Sequence, residues 1–381
     1  MDKVGIVATS QTKYEPDKKS VSIPEMVYSV VKPLLKELDI KIFDIDHAVT
    51  CSSDFWDGKT ISNLSINEVV GAYLRPETKV ASDGSQALFY AMIRILSGEY
   101  ESALVVAHCK MSQGYRNQID WGAGDPFFMR PVGVDDLNAA AMQARAYMNA
   151  YGISEEQCAA VSVKNKGNAL KNPHAQDGRS TSVRDVMHSA YLSSPIKELD
   201  RSPAGDGACA LILANERKAK EWTETPVWIA GAGTANDLFY FGDRNLKELS
   251  SLTEAARKAY GMAGIQAPGK EIHVAEISES YSYLEPMIYE GLGLCDPGEG
   301  IRLLESGVTA MNGDLPVNPS GGMLGGCPEI VGGLNAAIEV ARQLAGNAGD
   351  HQVDGPKVGL VHGKNGFAAQ QNTVIILKNS L

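Results

Sequence analysis

Apolar positions along this chain fall into two patterns: continuous runs of strand length, and stripes at helical spacing. Their alternation predicts an α/β protein. KVGIVATS (3–10) reads as a strand, SIPEMVYSVVKPLLKELDI (22–40) as an amphipathic helix, DIDHAVTCSS (44–53) as a second strand and SINEVVGAYL (65–74) as a second helix. An extended run ends at Lys79 and Val80, Gly84 and Ser85 allow a tight turn, and Gln86 to Leu96 supply an apolar helix that SGEY ends. ESALVVAHC (101–109) is then a buried strand. A strand, a Gly-containing turn and a buried helix make a corner at which the helix amino terminus favours negative charge.

The second half repeats the series. TPVWIAGAG (225–233) is a strand, LSSLTEAARKAYGMAGI (249–265) a helix, EIHVAEISES (271–280) a strand and YLEPMIYEGLGL (283–294) a helix. A Gly-rich turn and small-residue helix, NPSGGMLGGCPEIVGGLNAAIEVARQLAG (318–346), then lead into the strand KVGLVHG (357–363). The parallel predicts duplicated βαβαβαβ halves. Continuous apolar strands such as ALVVAH fit sheets covered on both faces, and Ala- and Gly-rich helices fit the space between two sheets. The expected architecture is therefore a five-layer α/β/α/β/α arrangement. In this division residues 1–110 begin the first half, 111–200 form an insertion, 201–224 complete that half, and 225–381 make the second.

Composition narrows the function. A chain of 381 residues is long enough for two closely packed halves, and a formal charge of −11 argues against nucleic acid and anionic membrane as partners. With no amino-terminal apolar segment of signal-peptide type and no apolar stretch of about 18 residues, the expected location is cytoplasmic. Cys51, Cys109, Cys158, Cys209, Cys295 and Cys327 are scattered with no CxxC spacing, so neither a zinc knuckle nor a disulfide framework is expected, and no metal site. Cys327 stands apart because the glycines of GGMLGGCPE would bring backbone close to a ligand.

Four segments, ARAYMNAYGISEEQCAAVSVKNKGNALKNPHAQ, SPAGDGACALILA, VNPSGGMLGG and VAEISESYSYLEPMIYEGLGLC, carry a resemblance to the thiolases. The chain is most similar to the branch of sterol carrier protein X thiolases and acetyl-CoA acetyltransferases. That resemblance implies the thiolase fold, a CoA thioester as substrate with no tightly bound cofactor, and a homodimer. It also implies a small partner protein bearing a zinc ribbon and an OB-fold, since relatives of this branch often pair with one.

The resemblance also exposes departures. Where the family's nucleophilic cysteine belongs, ASDGSQAL presents Ala81, whose methyl group cannot take an acyl group, with Ser82 beside it as an alternative nucleophile. AEISESY lies over the family's HDAF region and puts Ser278 in place of the oxyanion-binding His, Glu279 in place of Asp as a loop-orienting group, and Tyr281, with Tyr283 nearby, where extra hydroxyls are unusual. Cys327 occupies the place of the family's GHP histidine, and the terminal loop VHGKNGF presents His362, so the Cys and His types look exchanged. His362 is the expected base, with Cys327 or Tyr281 as further proton carriers. CoA is expected over the insertion, with Arg145, Lys164 and Asn165 as donors and Gly321 and Gly322 allowing close approach.

Three functions fit these residues. One is a non-covalent carbon–carbon lyase of the retro-aldol type, similar to thiolase-like aldolases of steroid side-chain breakdown that also lack the nucleophile. Another is a β-ketoacyl-CoA thiolase using Ser82, Cys327 or direct CoA attack. The last is a non-catalytic subunit of a heteromeric complex. Aromatics in DFWDG, WGAGDPFFMRP and NDLFYFGDRN either line a pocket for a bulky acyl group or pack beneath the insertion.

Overall fold

The computed structural model describes residues 3–380. The first half runs β1 (Val4–Gln11), α1 (Ile23–Leu38), β2 (His47–Cys51), β3 (Glu77–Val80), α2 (Gly84–Leu96) and β4 (Ser102–Lys110). Between β4 and the returning strand lie α3 (Arg116–Ala123), α4 (Asp136–Tyr151), α5 (Glu155–Ala169), α6 (Val183–His188) and a small hairpin of β5 (Tyr191–Ser193) and β6 (Ile196–Lys197). Next come β7 (Asp206–Asn215) and α7 (Glu216–Trp222). The second half runs β8 (Val227–Asn236), α8 (Ser250–Ala263), α9 (Pro268–Glu271), β9 (Val274–Glu276), α10 (Leu284–Gly291), α11 (Gly300–Glu305), α12 (Gly332–Ala345), β10 (Val358–Asn365) and β11 (Gln371–Lys378).

Local signals set the helix ends. Ser22 accepts from the Glu25 amide while Glu25 reaches back to Ser22, and Pro24 sits in the first turn of α1. The expected helix over 65–74 does not form. A 3-10 segment at Ser62–Ile66 replaces it, because Ile61, Gly71 and Leu74 take left-handed backbone and a Cβ at Gly71 would press on Ile42. The strand expected over 271–280 stops at Glu276, since the Ile277 amide leaves the ladder and donates to Asn318 Oδ1 at 2.8 Å.

Hydrogen-bonded strands run in the order β3-β2-β4-β7-β1-β8-β11-β10-β9. β1 and β8 share two residue pairs, Gly5 with Trp228 and Ile6 with Val227, so the ribbon is two sheets joined at a narrow seam. An isolated parallel bridge from Ala275 to Val317 extends the second sheet by the position that β3 fills in the first. The duplication predicted from sequence is thus visible as two strand orders running outward from the seam.

The apolar core divides along the same lines. One cluster packs α1 on the first sheet, another packs α8 and α10 on the second, and a central cluster joins both sheets through α2 and α12. These are the five layers. α2 and α12 can approach because a Cβ at Gly84 would lie 2.5 Å from Leu334 Cβ. Asp83 pins them together: its Oδ1 accepts the Ser85 amide at 2.9 Å, capping α2, and its Oδ2 accepts the Gly333 amide at 2.9 Å.

Candidate active site

A cavity of about 720 Å³ opens at the corner where β3 turns into α2. Ala81, Ser82 and Asp83 form its floor, the end of β10 supplies Lys364 and Asn365, and α3 and the start of α4 supply Asp120 and Asp136. Ser278, Ser280, Glu329, Asp54 and Lys79 add further polar wall, while Trp56, Ile119, Met323 and Phe367 give apolar wall. The long segment between β4 and β7 therefore covers the corner and narrows it into a pocket.

The corner presents a methyl group and a hydroxyl that is already hydrogen-bonded. Ala81 is exposed to the cavity but presents only a methyl group. The Ser82 hydroxyl donates to Gln371 Oε1 and accepts from Asn365 Nδ2 at 3.1 Å, so its proton is held by an amide oxygen and no base touches it. No cysteine or histidine lines the cavity among the described residues. Ser278 faces the cavity, yet its hydroxyl donates to the His362 carbonyl at 3.0 Å.

His362 does not meet the expectation of a cavity-facing base. On β10, Val361 belongs to the central layer and a Cβ at Gly363 would meet Ser85 Oγ, so the strand's alternation turns His362 to the outer side of its sheet. Its Nε2 donates to Asn372 Oδ1 at 2.9 Å, because the Asn372 amide group already donates to Ser251 and Ala369, and its Nδ1 faces the Ser278 amide at 3.4 Å. Burial holds its pKa down to about 4. It is a neutral, fully occupied core histidine.

The other expected groups also lie off the cavity. Cys327 is buried in the central core and burial pushes its thiol well above the ordinary value, which removes it from proton transfer near neutrality. Tyr281 is buried and its hydroxyl donates to Asp136 Oδ2 at 2.7 Å, one shell behind the cavity; the Tyr283 hydroxyl donates to Gln143 at 3.0 Å. Arg145 pairs with Glu155 at 3.7 Å and Ser194 at 3.1 Å. Lys164 is tied to Glu285 at 2.6 Å, and Asn165 donates to Glu279 at 2.8 Å and Glu285 at 2.7 Å. Glu279 also accepts from the Leu324 amide and from Asn318, so it orients the loop after Asn318.

Gly321 and Gly322 take positive φ of 101° and 59° for packing reasons. A Cβ at Gly321 would sit 2.5 Å from Ala169 Cβ, and one at Gly322 would sit 2.5 Å from Glu279 Oε1. The five residues expected to hold CoA thus support the insertion and its neighbouring loop.

In their place the structure brings together charges from distant segments. Asp120 Oδ2 lies 3.7 Å from Arg116 Nε and 3.9 Å from Arg201 Nη2, while Arg116 Nη2 reaches Glu329 Oε1 at 3.3 Å. Burial pushes Asp120 up to about 7, reinforced by Glu329 and Asp136 against the pull of the two arginines. Burial and Glu329 likewise raise Asp136. Burial acts the same way on Glu329, but Arg116, Lys364 and Arg201 outweigh it and hold that carboxyl below the usual range. No local motif marks these residues; Asp120 and Asp136 flank the aromatic stretch WGAGDPFFMRP, the nearest signal in the sequence.

Comparison with known proteins matches residues 4–180 to the thiolase N-terminal domain and residues 233–379 to the thiolase C-terminal domain-like family. An acetyl-CoA acetyltransferase of Methanothermobacter thermautotrophicus is 33% identical over 97% of this chain and 98% of its own length. Human sterol carrier protein 2 is 29% identical over 94% of this chain and 69% of its own length. Among solved structures, the Ltp2-ChsH2(DUF35) aldolase has the same fold, with a TM-score of 0.86 at 21% identity over 99% of this chain and 98% of that one.

Proposed function

The chain belongs to the thiolase family and is a thiolase-like enzyme, and from that premise we propose that it makes or breaks a carbon–carbon bond in an acyl-CoA thioester without an acyl-enzyme. The observation that carries the proposal is Ala81, a methyl group at the mouth of α2, in a cavity whose hydroxyls at Ser82 and Ser278 are already committed. Covalent thiolysis needs a nucleophile that can both take and release an acyl group. Retro-aldol cleavage of a β-hydroxyacyl-CoA needs only a base for the hydroxyl and positive charge near the thioester oxygen as it gains enolate character.

Groups on the cavity wall support the second pair of requirements. Lys364 supplies a cation from the end of β10, while the amino terminus of α2 lies behind its cap, the Asp83 carboxyl. Carboxyl groups on α3 and α4 supply titratable oxygen. The reading includes a homodimer and a small zinc-ribbon/OB-fold partner at the cavity mouth, where Phe55 and Tyr115 stand exposed.

The test is turnover of β-hydroxyacyl-CoA thioesters with free CoA omitted, by the chain alone and with any protein that copurifies with it. Release of a carbonyl compound and the shortened acyl-CoA is expected. Cleavage of a β-ketoacyl-CoA that depends on added CoA, with no turnover of the hydroxy substrate, would overturn the reading in favour of direct CoA attack.

A further inference from the structure

Resting on the lyase reading above, the remaining question is which group moves the proton. Of the five carboxyl groups on the cavity wall, four are already engaged. Asp83 accepts from Ser85 and Gly333, Asp54 pairs with Lys79, Asp136 accepts from Tyr281, and Glu329 faces Arg116. Asp120 differs. It lines the cavity, is 9% exposed, and accepts no hydrogen bond among the described residues. Arg116 and Arg201 stand near enough to act as charges, yet the Nε atom of each is buried with no hydrogen-bond partner among the described residues. A carboxylate with open lone pairs, set beside two guanidinium groups that keep it in place without capping it, suits transient proton uptake.

We propose that Asp120 is the acid–base residue of this site. Its carboxylate takes the proton of the substrate's β-hydroxyl as the Cα–Cβ bond breaks and the carbonyl product forms. The bonding pair passes to Cα and spreads into the thioester as an enolate. The same carboxyl then returns its proton to Cα, giving the shortened acyl-CoA. Proton and electrons balance with no further reactant. Its ionisation is set first by burial, which opposes it, then by Glu329 and Asp136, which also oppose it, and by Arg116 and Arg201, which favour it; Lys364 acts through the two neighbouring carboxyls.

Two measurements on the full chain test this. In the first, kcat/KM for CoA-independent cleavage is followed against pH. Wild type rises as pH climbs through about 7, Asp120→Asn lowers kcat by about 10²- to 10⁴-fold with KM little changed, and Asp120→Glu restores part of the rate with a displaced profile. In the second, carbon-detected NMR of labelled aspartate, with the Asp120 signal identified by its loss in Asp120→Asn, shows a carboxyl titrating near pH 7 in the free protein. Asp120→Asn turnover within about tenfold of wild type and an unchanged pH profile would overturn the assignment and leave the lyase reading standing; titration in the ordinary aspartate range would do the same. Absence of cleavage by wild type would instead overturn the lyase reading, whatever the NMR shows.

Discussion

Replacing Asp83 tests how the corner is built. Its two oxygens accept the Ser85 and Gly333 amides, each at 2.9 Å, and so bind the starts of α2 and α12 to one buried side chain. Asp83→Ala leaves both amides buried without an acceptor. Each such orphan costs about 1–3 kcal/mol, so the pair sums to about 2–6 kcal/mol, a range that already contains the ordinary helix-cap contribution. Asp83→Asn keeps one carbonyl oxygen for Ser85 but turns an amide donor toward the Gly333 N–H, so about half of that loss is expected. Equilibrium urea unfolding reads the effect as a lower midpoint at unchanged slope for the transition that includes the central layer. A loss below about 1 kcal/mol for the alanine variant would refute the reasoning, as would an asparagine variant as stable as wild type.

Two other substitutions probe the site. Ala81→Cys puts a thiol at the amino terminus of α2, where the helix dipole favours the thiolate; incubation with an acyl-CoA should add one acyl mass to this variant, read by mass spectrometry, and a variant that stays unmodified would show that the corner cannot present a nucleophile to the thioester. His362→Gln should flatten the acid side of the stability profile. Burial lowers the His362 pKa to about 4, below its unfolded value near 6.5, so the unfolded chain binds the extra proton first and wild type loses stability as pH falls from about 6.5 to 4. Urea midpoints measured across that window should fall less in the variant than in wild type, and parallel curves would contradict the assignment of a neutral buried ring.

The layers were readable because the central strands are apolar on both faces and the central helices are made of small residues. ALVVAH and GGLNAAIEVARQL report that environment directly. SINEVVGAYL misled because its helical spacing competes with left-handed backbone at Ile61, Gly71 and Leu74, and Gly71 is closed against Ile42. In the site, the corner was legible: Ala81, Ser82 and Ser278 all reach the cavity. His362 and Cys327 sit at informative places in the sequence, but strand alternation and core burial turn them away. Asp120, Asp136 and Glu329 could not be grouped from sequence, since only the fold brings α3, α4 and the loop before α12 to one cavity.

The central claim is that this enzyme works on acyl-CoA thioesters without covalent capture of the acyl group. Intact-protein mass spectrometry during turnover of a β-hydroxyacyl-CoA, with a matched incubation on acyl-CoA and β-ketoacyl-CoA thioesters, tests it most directly. The account predicts unmodified protein throughout, together with carbonyl product formed in the absence of free CoA. An acyl adduct that forms and discharges at the turnover rate, mapped to Ser82 or to any other side chain, would contradict it.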